Sequence, residues 1–454
     1  MPKPPKLVLS DLVDDELLTV LSETMPVSDL QLAVEECTAK STNDIFKIVT
    51  DEAITKAGGR AAIFTMTRAL KVLFYEAHAM NSAVVTPEVR AAAEQRLQGR
   101  LEPMQELYEY VLQDRLTLMT IHDRYAEGNE APLIRAAHPI FQTYYVASAI
   151  CDLPDVRLPV LPWHFDARWA DVLKLGGSMG DVFWRGLLRA IPDKAPEAAL
   201  LKAVQIRDVV GGDRSVSLVP VGAFLRMNPN VGITKLDWSE LLLDDAQAIG
   251  LFQHFEKDTL MQLTRLYLND NAIGALGWKS FAGSLARGSL PALEEMRLSN
   301  NTGFGDAGMK SLSDALAAGA MKQLKQLYLN NCSIGDEGIV RFSAVLQPEF
   351  GIGELARSST VKALYSDGIL ANLELLTLAY NDIGERGVRA LAAICAAGAL
   401  ERLSRFMMTH NQPSGAPSIV TNAIMNNRKP RPRKFLPLYR WPDEIVPEKS
   451  KPES

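Results

Sequence analysis

Hydrophobic residues in the second half of the chain follow a pattern that fits neither a continuous helix nor a long strand. In "LTRLYLNDNAIGALG" (263–277), Leu266 and Leu268 flank Tyr267 with a period of two. This spacing predicts a short strand whose aliphatic side chains share one face. Asn271 ends that strand, and the glycine-containing stretch after it leads into a predicted helix.

The same pattern returns three times, in segments that begin at Leu293, Leu324 and Leu373. The shared pattern is L-x-x-L-x-L-x-x-N/C-x-[IF]-G-[DE]-x-G, with an extra residue in the second segment. The N/C position is occupied by Asn271, Asn301, Cys332 and Asn381. The steps between these residues are 30, 31 and 49 positions. One such unit cannot bury its own hydrophobic face, so the pattern predicts a stack of units.

These repeats resemble leucine-rich repeats of the ribonuclease-inhibitor type, which RanGAP and NLR proteins also contain. The resemblance is specific for 263–398. It implies parallel strands on a concave side and a full helix on the convex side of each unit. The aspartates of "GDAG" and "GDEG", Asp306 and Asp336, are predicted to cap the helices of their own units.

Weaker matches predict roughly eight units over 165–425. Leu236 with Trp238 would form the strand pair of the preceding unit, and Phe406 with Met408 that of the last. Two further degenerate units are predicted at "ADVLKLGGSMGDVFWRGLLRAI" (170–191) and "LKAVQIRDVV" (201–210). An insertion near 347–370 accounts for the step of 49 residues.

Residues 1–150 show no repeat and are predicted to form an α-helical domain of five or six amphipathic helices. "TPEV" (86–89) predicts a helix with a Thr86 cap and Pro87 in its first turn. The Pro-rich segment 151–164 is predicted to be the junction. The predicted fold class is an α/β leucine-rich-repeat solenoid, with parallel concave strands and convex helices, preceded by an all-α domain.

Composition agrees with a globular chain of ordinary character. Its 454 residues are 47% hydrophobic and 22% charged, which is enough for two cores. The four cysteines are widely separated, which favours reduced thiols and a cytoplasmic location, with nuclear or organelle-associated settings as alternatives. No segment has the roughly 20 consecutive apolar residues that a membrane span requires.

The net charge of −6 argues against nucleic-acid binding by the body of the chain. The tail, 426–454, differs because it contains "RKPRPRK" (428–434). That segment is either a solvated, Pro-stiffened linker or a motif for nuclear import or for an acidic partner. The following "FLPLYRWP" (435–442) is predicted to pack over the open end of the last repeat, or to dock onto another protein.

The best match to an enzyme motif is "GGSMG" (176–180), which fits G-x-S-x-G between a strand-like and a helix-like segment. The repeat spacing explains the same glycines as a turn. A hydrolase would also need an Asp and a His beside Ser178, whereas His254 and His410 fall in separate repeats. The histidines occur singly and no Walker-type loop is present, so we predict no catalytic residue, no cofactor and no metal.

The remaining candidate site is the side of the strands that faces the concave surface. Tyrosine and arginine are enriched at binding hot spots, and two tyrosines with an arginine between them lie at its centre. The predicted protein-binding residues are Asp237, Arg265, Tyr267, Asn269, Glu295, Arg297, Gln326, Tyr328, Asn330, Thr377, Arg405 and Met407. Exposed strand positions also tolerate such residues without binding, and the helical domain, insertion and tail are alternative contact surfaces.

The sequence therefore favours a non-enzymatic interaction module or scaffold subunit that binds protein partners within a larger complex. The alternative, implied by the resemblance, is a RanGAP-like regulator of a small GTPase. That family depends on particular loop residues and an acidic tail, whereas this tail is basic, so no catalytic residue is transferred. A hydrolase that acts through Ser178 is the third hypothesis.

Overall fold

A computed structural model describes most of the chain. The described residues are 8–35, 39–97, 102–124, 132–191, 204, 217–346, 369–412 and 415–426. The predicted insertion at 347–370 lies outside them except for its last two residues. The predicted unit at 201–210, apart from Val204, and the tail from residue 427 onward also lie outside them.

The first part of the chain is helical. Its α-helices are α1 (Asp15–Ser22), α2 (Val27–Glu35), α3 (Thr42–Gly58), α4 (Ile63–Ala79), α5 (Pro87–Arg96), α6 (Glu102–Leu112) and α7 (Pro139–Asp152). Short 3₁₀ helices occupy Leu9–Asp11 and Arg60–Ala62. The predicted start of α5 is confirmed, because the Thr86 hydroxyl accepts the Val89 N–H at 3.3 Å and Pro87 is the first helical residue.

Two features of this region differ from the sequence-based expectation. The described residues contain seven α-helices rather than five or six, and an antiparallel strand pair interrupts them. This pair consists of β1 (Met119–Asp123) and β2 (Leu133–Ala136). The helical core is aromatic: Phe46 stacks on Tyr144 with 4.7 Å between ring centroids, and Phe74 stacks on Tyr145 at 5.5 Å.

Three more helices lead towards the repeats. They are α8 (Ala170–Ser178), α9 (Asp181–Arg189) and α10 (Val219–Met227), with 3₁₀ turns at Pro162–His164 and Ala167–Trp169. The prediction of a strand–helix unit at 170–191 is therefore wrong. Val172, Leu173 and Gly176 are buried along one helical face, so the apparent strand period was misleading.

The repeats form a six-stranded parallel sheet in sequential order. Its strands are β3 (Lys235–Asp237), β4 (Arg265–Tyr267), β5 (Glu295–Arg297), β6 (Gln326–Tyr328), β7 (Leu375–Thr377) and β8 (Arg405–Met407). The helices between and after them are α11 (Asp245–Phe252), α12 (Ala275–Ala286), α13 (Gly305–Ala317), α14 (Asp336–Val345), α15 (Glu385–Ala396) and α16 (Ala416–Asn426). The predicted fold class, a helical region followed by an α/β solenoid, is confirmed.

The strands align so that equivalent residues of successive units pair, as Leu266 does with Met296. Leu266, Leu268, Leu327 and Leu329 are all buried, as the repeat pattern predicts. Adjacent strands lie about 4.8 Å apart, whereas packed helices need about 8–10 Å. The stack therefore curves towards its strands, and the side of β3–β8 that faces away from the helices is the concave face.

A ladder of buried asparagines joins consecutive units. The Asn271 side-chain oxygen accepts the N–H groups of Leu241 and Leu243, and its amide nitrogen donates to Trp238 O at 2.8 Å. Asn301 continues the ladder by accepting the Asn271 N–H at 3.1 Å. The side chain of each unit thus satisfies backbone groups of the unit before it, which fixes the distance between them.

Candidate protein-binding face

The centre of the concave face is a preformed group of three side chains, Tyr267, Arg297 and Tyr328, which we term the tyrosine–arginine cluster. The strand register places Arg297 beside Tyr267 on one side and beside Tyr328 on the other. Its guanidinium carbon lies 4.3 Å from the Tyr267 ring centroid and 5.0 Å from that of Tyr328. Both distances are within the range of cation–π attraction.

Neighbouring polar groups hold this cluster in place. Arg297 Nε donates to Glu295 Oε1 at 2.7 Å, and the Tyr328 hydroxyl donates to Gln326 Oε1 at 2.9 Å. Lys235 Nζ lies 4.6 Å from the Tyr267 ring centroid on the side away from Arg297. The rings therefore need little reordering to contact a partner, and that lowers the entropic cost of binding.

Electrostatics fix the protonation states of the cluster. Burial raises the pKa of Tyr267 and of Tyr328, and the charge of Arg297 only partly opposes that effect. Burial disfavours the charged form of Arg297, but its hydrogen bond to Glu295 and the charge of that carboxylate raise the pKa overall. At neutral pH the site consists of two neutral phenols around a charged guanidinium.

The other predicted residues differ in accessibility. Arg265 and Arg405 are exposed at either side of the cluster, and Met407 is half-buried beside Arg405. Asp237 accepts a hydrogen bond from Ser239 at 2.5 Å, and Asn269 donates to Asp270 at 2.6 Å. The Asn330 side-chain oxygen accepts the Ala379 N–H at 2.9 Å, so this group also joins strands together.

The prediction that Thr377 belongs to the protein-binding residues is corrected by the structure, because its side chain is only 2% exposed. Its register partners are Tyr328 and Met407. Leu375, on the same face of β7, is also buried, at 7% exposed. Thr377 is thus unable to contact a partner directly, although the strand position itself was predicted correctly.

The sequence analysis missed an aromatic pair at the rim of the face. Tyr380 and His410 stack with 4.1 Å between ring centroids, and the Tyr380 side chain is exposed. Each directly precedes a ladder asparagine and has a positive φ, of 58° and 57°. The equivalent residues of the three preceding units are the small polar Asp270, Asn300 and Asn331. Aromatic residues at a position that normally holds Asp or Asn were the available signal.

The structure around "GGSMG" (176–180) differs from the nucleophile elbow that the hydrolase hypothesis requires. Ser178 is the last residue of α8, and its hydroxyl donates to Leu175 O at 2.6 Å within the same helix. A nucleophile elbow requires a strand before the serine, and a helix occupies that place. His254 packs edge-on against Trp184, and burial lowers its pKa to about 4. His410 lies beside the last strand of the sheet.

Comparison with known families agrees with the geometry of the sheet. Residues 322–343 and 370–392 match the family model for a leucine-rich repeat. These two units are leucine-rich repeats. They contain β6 and β7 with most of the helices that follow. Strands β5 and β8 pair with these two strands, and β3 and β4 continue the sheet in the same register. Repeats of this class imply protein binding.

Two further findings bear on function. No curated protein matches the chain. Within the stretches that the structure describes, none of the helices is both long and apolar enough to span a bilayer.

Proposed function

We propose that the chain is a non-enzymatic interaction module that binds a protein partner through its concave face. The observation that carries this proposal is the tyrosine–arginine cluster. It presents two half-buried aromatic rings and a guanidinium already held at cation–π distance. Tyrosine and arginine, with tryptophan, are the residues most enriched among those whose truncation weakens binding strongly.

The parallel stack supports the same function. A solenoid presents one extended, curved surface whose residues come from successive units. Because hydrogen bonds between units fix their spacing, little conformational entropy is lost on binding. The helical region would then serve as a second contact or as an assembly piece within a larger complex.

The test compares partner capture by wild type and by Tyr267→Ala/Arg297→Ala/Tyr328→Ala. The control is Leu276→Ala/Lys279→Ala/Lys310→Ala, which removes exposed residues from α12 and α13 on the convex side. Affinity purification with mass spectrometry identifies partners, and circular dichroism verifies folding. The concave variant should weaken partner binding by about tenfold or more, whereas the control should retain it. Unchanged affinity for every partner in the concave variant would exclude this face.

A GTP-hydrolysis assay separates this function from activation of a small GTPase. A passive interaction module should leave the hydrolysis rate of candidate GTPases unchanged. Acceleration by more than about tenfold, which corresponds to about 1.4 kcal/mol of barrier, would reject the non-enzymatic proposal.

A further inference from the structure

Positively charged side chains outnumber negatively charged ones on the concave face. Its two central columns carry four cations and two carboxylates: Lys235, Arg265, Arg297 and Arg405, with Asp237 and Glu295. Glu295 pairs with Arg297 at 2.7 Å, and Asp237 lies 3.7 Å from Lys235. The face is therefore positive on a chain whose net charge is −6.

The excess charge belongs to Arg265 and Arg405. Both side chains are exposed, and neither forms an ion pair with a carboxylate of the described residues. Burial raises the pKa of Tyr267 and of Tyr328, and the nearby charges of Arg265 and Arg405 oppose that effect in part, at Tyr267 and Tyr328 respectively. Two unpaired guanidiniums thus stand on opposite sides of the tyrosine–arginine cluster.

The strand order gives the distance between these two arginines along the sheet. Arg265 is on β4 and Arg405 is on β8, with three strands between them. Four strand spacings amount to about 19 Å, and an extended peptide advances about 3.3 Å per residue. A peptide that crosses the strands would therefore span the two arginines with about six residues.

We propose that the concave face binds an extended acidic segment of a partner protein. Carboxylates about six residues apart pair with Arg265 and Arg405, and the side chains between them lie against the tyrosine–arginine cluster. Arginine is suited to this role because its planar fork matches a carboxylate in a bidentate geometry. This inference rests on the proposed function and specifies the chemistry of the partner.

A nucleic acid fits the same surface less well. Glu295 and Asp237 lie in the same columns as the cations and would repel a continuous row of phosphates. The face also lacks cations on β6 and β7, where Gln326, Tyr328, Leu375 and Thr377 occupy the equivalent positions. Separated cations fit separated carboxylates better than a uniformly charged backbone.

The first experiment measures fluorescence anisotropy of a labelled peptide with glutamate pairs about six residues apart around a central leucine. Matched peptides carry glutamine instead of glutamate, or a spacing of about three residues. The acidic, widely spaced peptide should bind best to the full chain. Its affinity should fall when salt rises from about 0.05 M to about 0.3 M, because exposed charge pairs are screened.

Charge-reversal variants locate the binding site. Arg265→Glu/Arg405→Glu should weaken binding of the acidic peptide by about fivefold or more. Lys279→Glu/Lys310→Glu makes the same change in net charge at exposed positions on α12 and α13, and should leave the affinity unchanged. Equal binding of the glutamate and glutamine peptides, or equal loss in both variants, would overturn the inference.

Two further outcomes separate this inference from the proposed function. If the cluster variant loses its captured partners while Arg265→Glu/Arg405→Glu keeps them, the concave face binds protein but the acidic segment is wrong. If both variants keep every partner, the proposed function also fails. A labelled uridine oligonucleotide is the competing probe. Tighter binding of this oligonucleotide than of the acidic peptide, with loss in the arginine variant, would identify a nucleic-acid face instead.

Discussion

Asn301 shows how one side chain holds two repeat units together. It is fully buried, accepts the Asn271 N–H at 3.1 Å, and donates to Leu268 O at 2.9 Å and Leu298 O at 2.7 Å. Two of these three backbone groups belong to the preceding unit. Aspartate lacks the N–H donor that the carbonyls require, and alanine lacks both the donor and the acceptor. Asparagine supplies both groups at this position.

Asn301→Ala should lower the free energy of unfolding by about 1–3 kcal/mol, because it leaves the buried Asn271 N–H without a partner. Leu268 O and Leu298 O each lose one hydrogen bond but keep another, from Asn271 Nδ2 at 3.0 Å and from Cys332 Sγ at 3.3 Å. Urea denaturation monitored by circular dichroism measures the difference. The neighbouring, exposed Thr302→Ala is the control and should change stability by less than about 0.5 kcal/mol. Similar losses in both variants would contradict the role of the ladder.

The sequence predicts single residues of the concave face well where the strand period decides their orientation. Tyr267, Arg297 and Tyr328 lie on the predicted face because alternate residues of a strand point to opposite sides. The burial of Thr377 depends on the lengths of side chains from two other strands, and the stacking of Tyr380 on His410 depends on two loops. The hydrophobic period within one unit does not predict such contacts between units.

At the scale of elements, the G-[DE]-x-G motif acts between units rather than within one. The Asp306 carboxylate accepts the N–H groups of Gly335 and Gly338, at 2.7 and 2.9 Å, from the first turn of the next helix, α14. The prediction that Asp306 caps its own helix was therefore wrong. A Cβ atom at Gly338 would lie only 2.6 Å from Asp306 Oδ1, so the glycine makes room for the carboxylate.

The same contact recurs where an aspartate of one unit is followed by the two glycines of the next unit. Asp245 accepts from Gly274 and Gly277, and Asp336 accepts from Gly384 and Gly387. Ala275 occupies the aspartate position of its unit, and the next helix, α13, begins without such a cap, after Phe304. The segment that begins at Leu293 has one extra residue before Phe304. The unit before that segment has alanine in place of the aspartate.

Asp306→Ala should destabilise the chain by about 1–2 kcal/mol, because it removes an N-terminal cap and leaves the Gly335 and Gly338 N–H groups unpaired. Glu337→Ala is the matched control. Its carboxylate is also in the first turn of α14, but it is exposed and forms only a surface ion pair with Arg386 at 2.8 Å. The control should cost less than about 1 kcal/mol. Thermal unfolding compares the two, and a reversed order would refute capping between units.

The repeat pattern also predicted the positions of β3–β8 correctly, because each strand needs only a local alternation of residues. It was wrong at 170–191, where Leu173 and Leu175 imitate that alternation inside a helix. Two of the three glycines that suggested a turn, Gly176 and Gly177, lie in α8 beside the rings of Phe183 and Trp184, whereas Gly180 lies between α8 and α9 with a φ of 79°. A short aliphatic alternation does not distinguish strand from helix when the decisive contacts come from a neighbouring helix.

For the molecule as a whole, the helical region passes into the solenoid through a series of packed helices. Helix α7 contacts α8 and α9, α9 contacts α10, and α10 packs against α11 of the first strand–helix unit. Arg189 strengthens the first contact by donating to Ile150 O at 3.0 Å. Trp238 Nε1 donates to Val204 O at 2.8 Å beneath the first strand. The solenoid thus begins against a helical surface that covers the open side of its first unit.

Gly222 permits the close approach of α10 to α11, the last contact of this series. A Cβ atom there would collide with the backbone carbonyl of Leu251 on α11, which cannot move without moving its helix. Gly222→Ala should therefore lower the free energy of unfolding by about 1–3 kcal/mol through overpacking. Gly283→Ala in α12 is the control, because a Cβ atom there would meet only Arg287 Nη1 at 3.5 Å.

Without a steric conflict, alanine is a better helix former than glycine, so Gly283→Ala should be neutral or stabilise by about 0.5–1 kcal/mol. Both variants make the same chemical change in a helix, and they differ in what the added methyl group meets. Urea denaturation of the full chain measures both. If α10 joins the helical region to the repeats, the wild type should unfold in one transition and Gly222→Ala in two. A Gly222→Ala variant as stable as Gly283→Ala would show that the two parts do not depend on this contact.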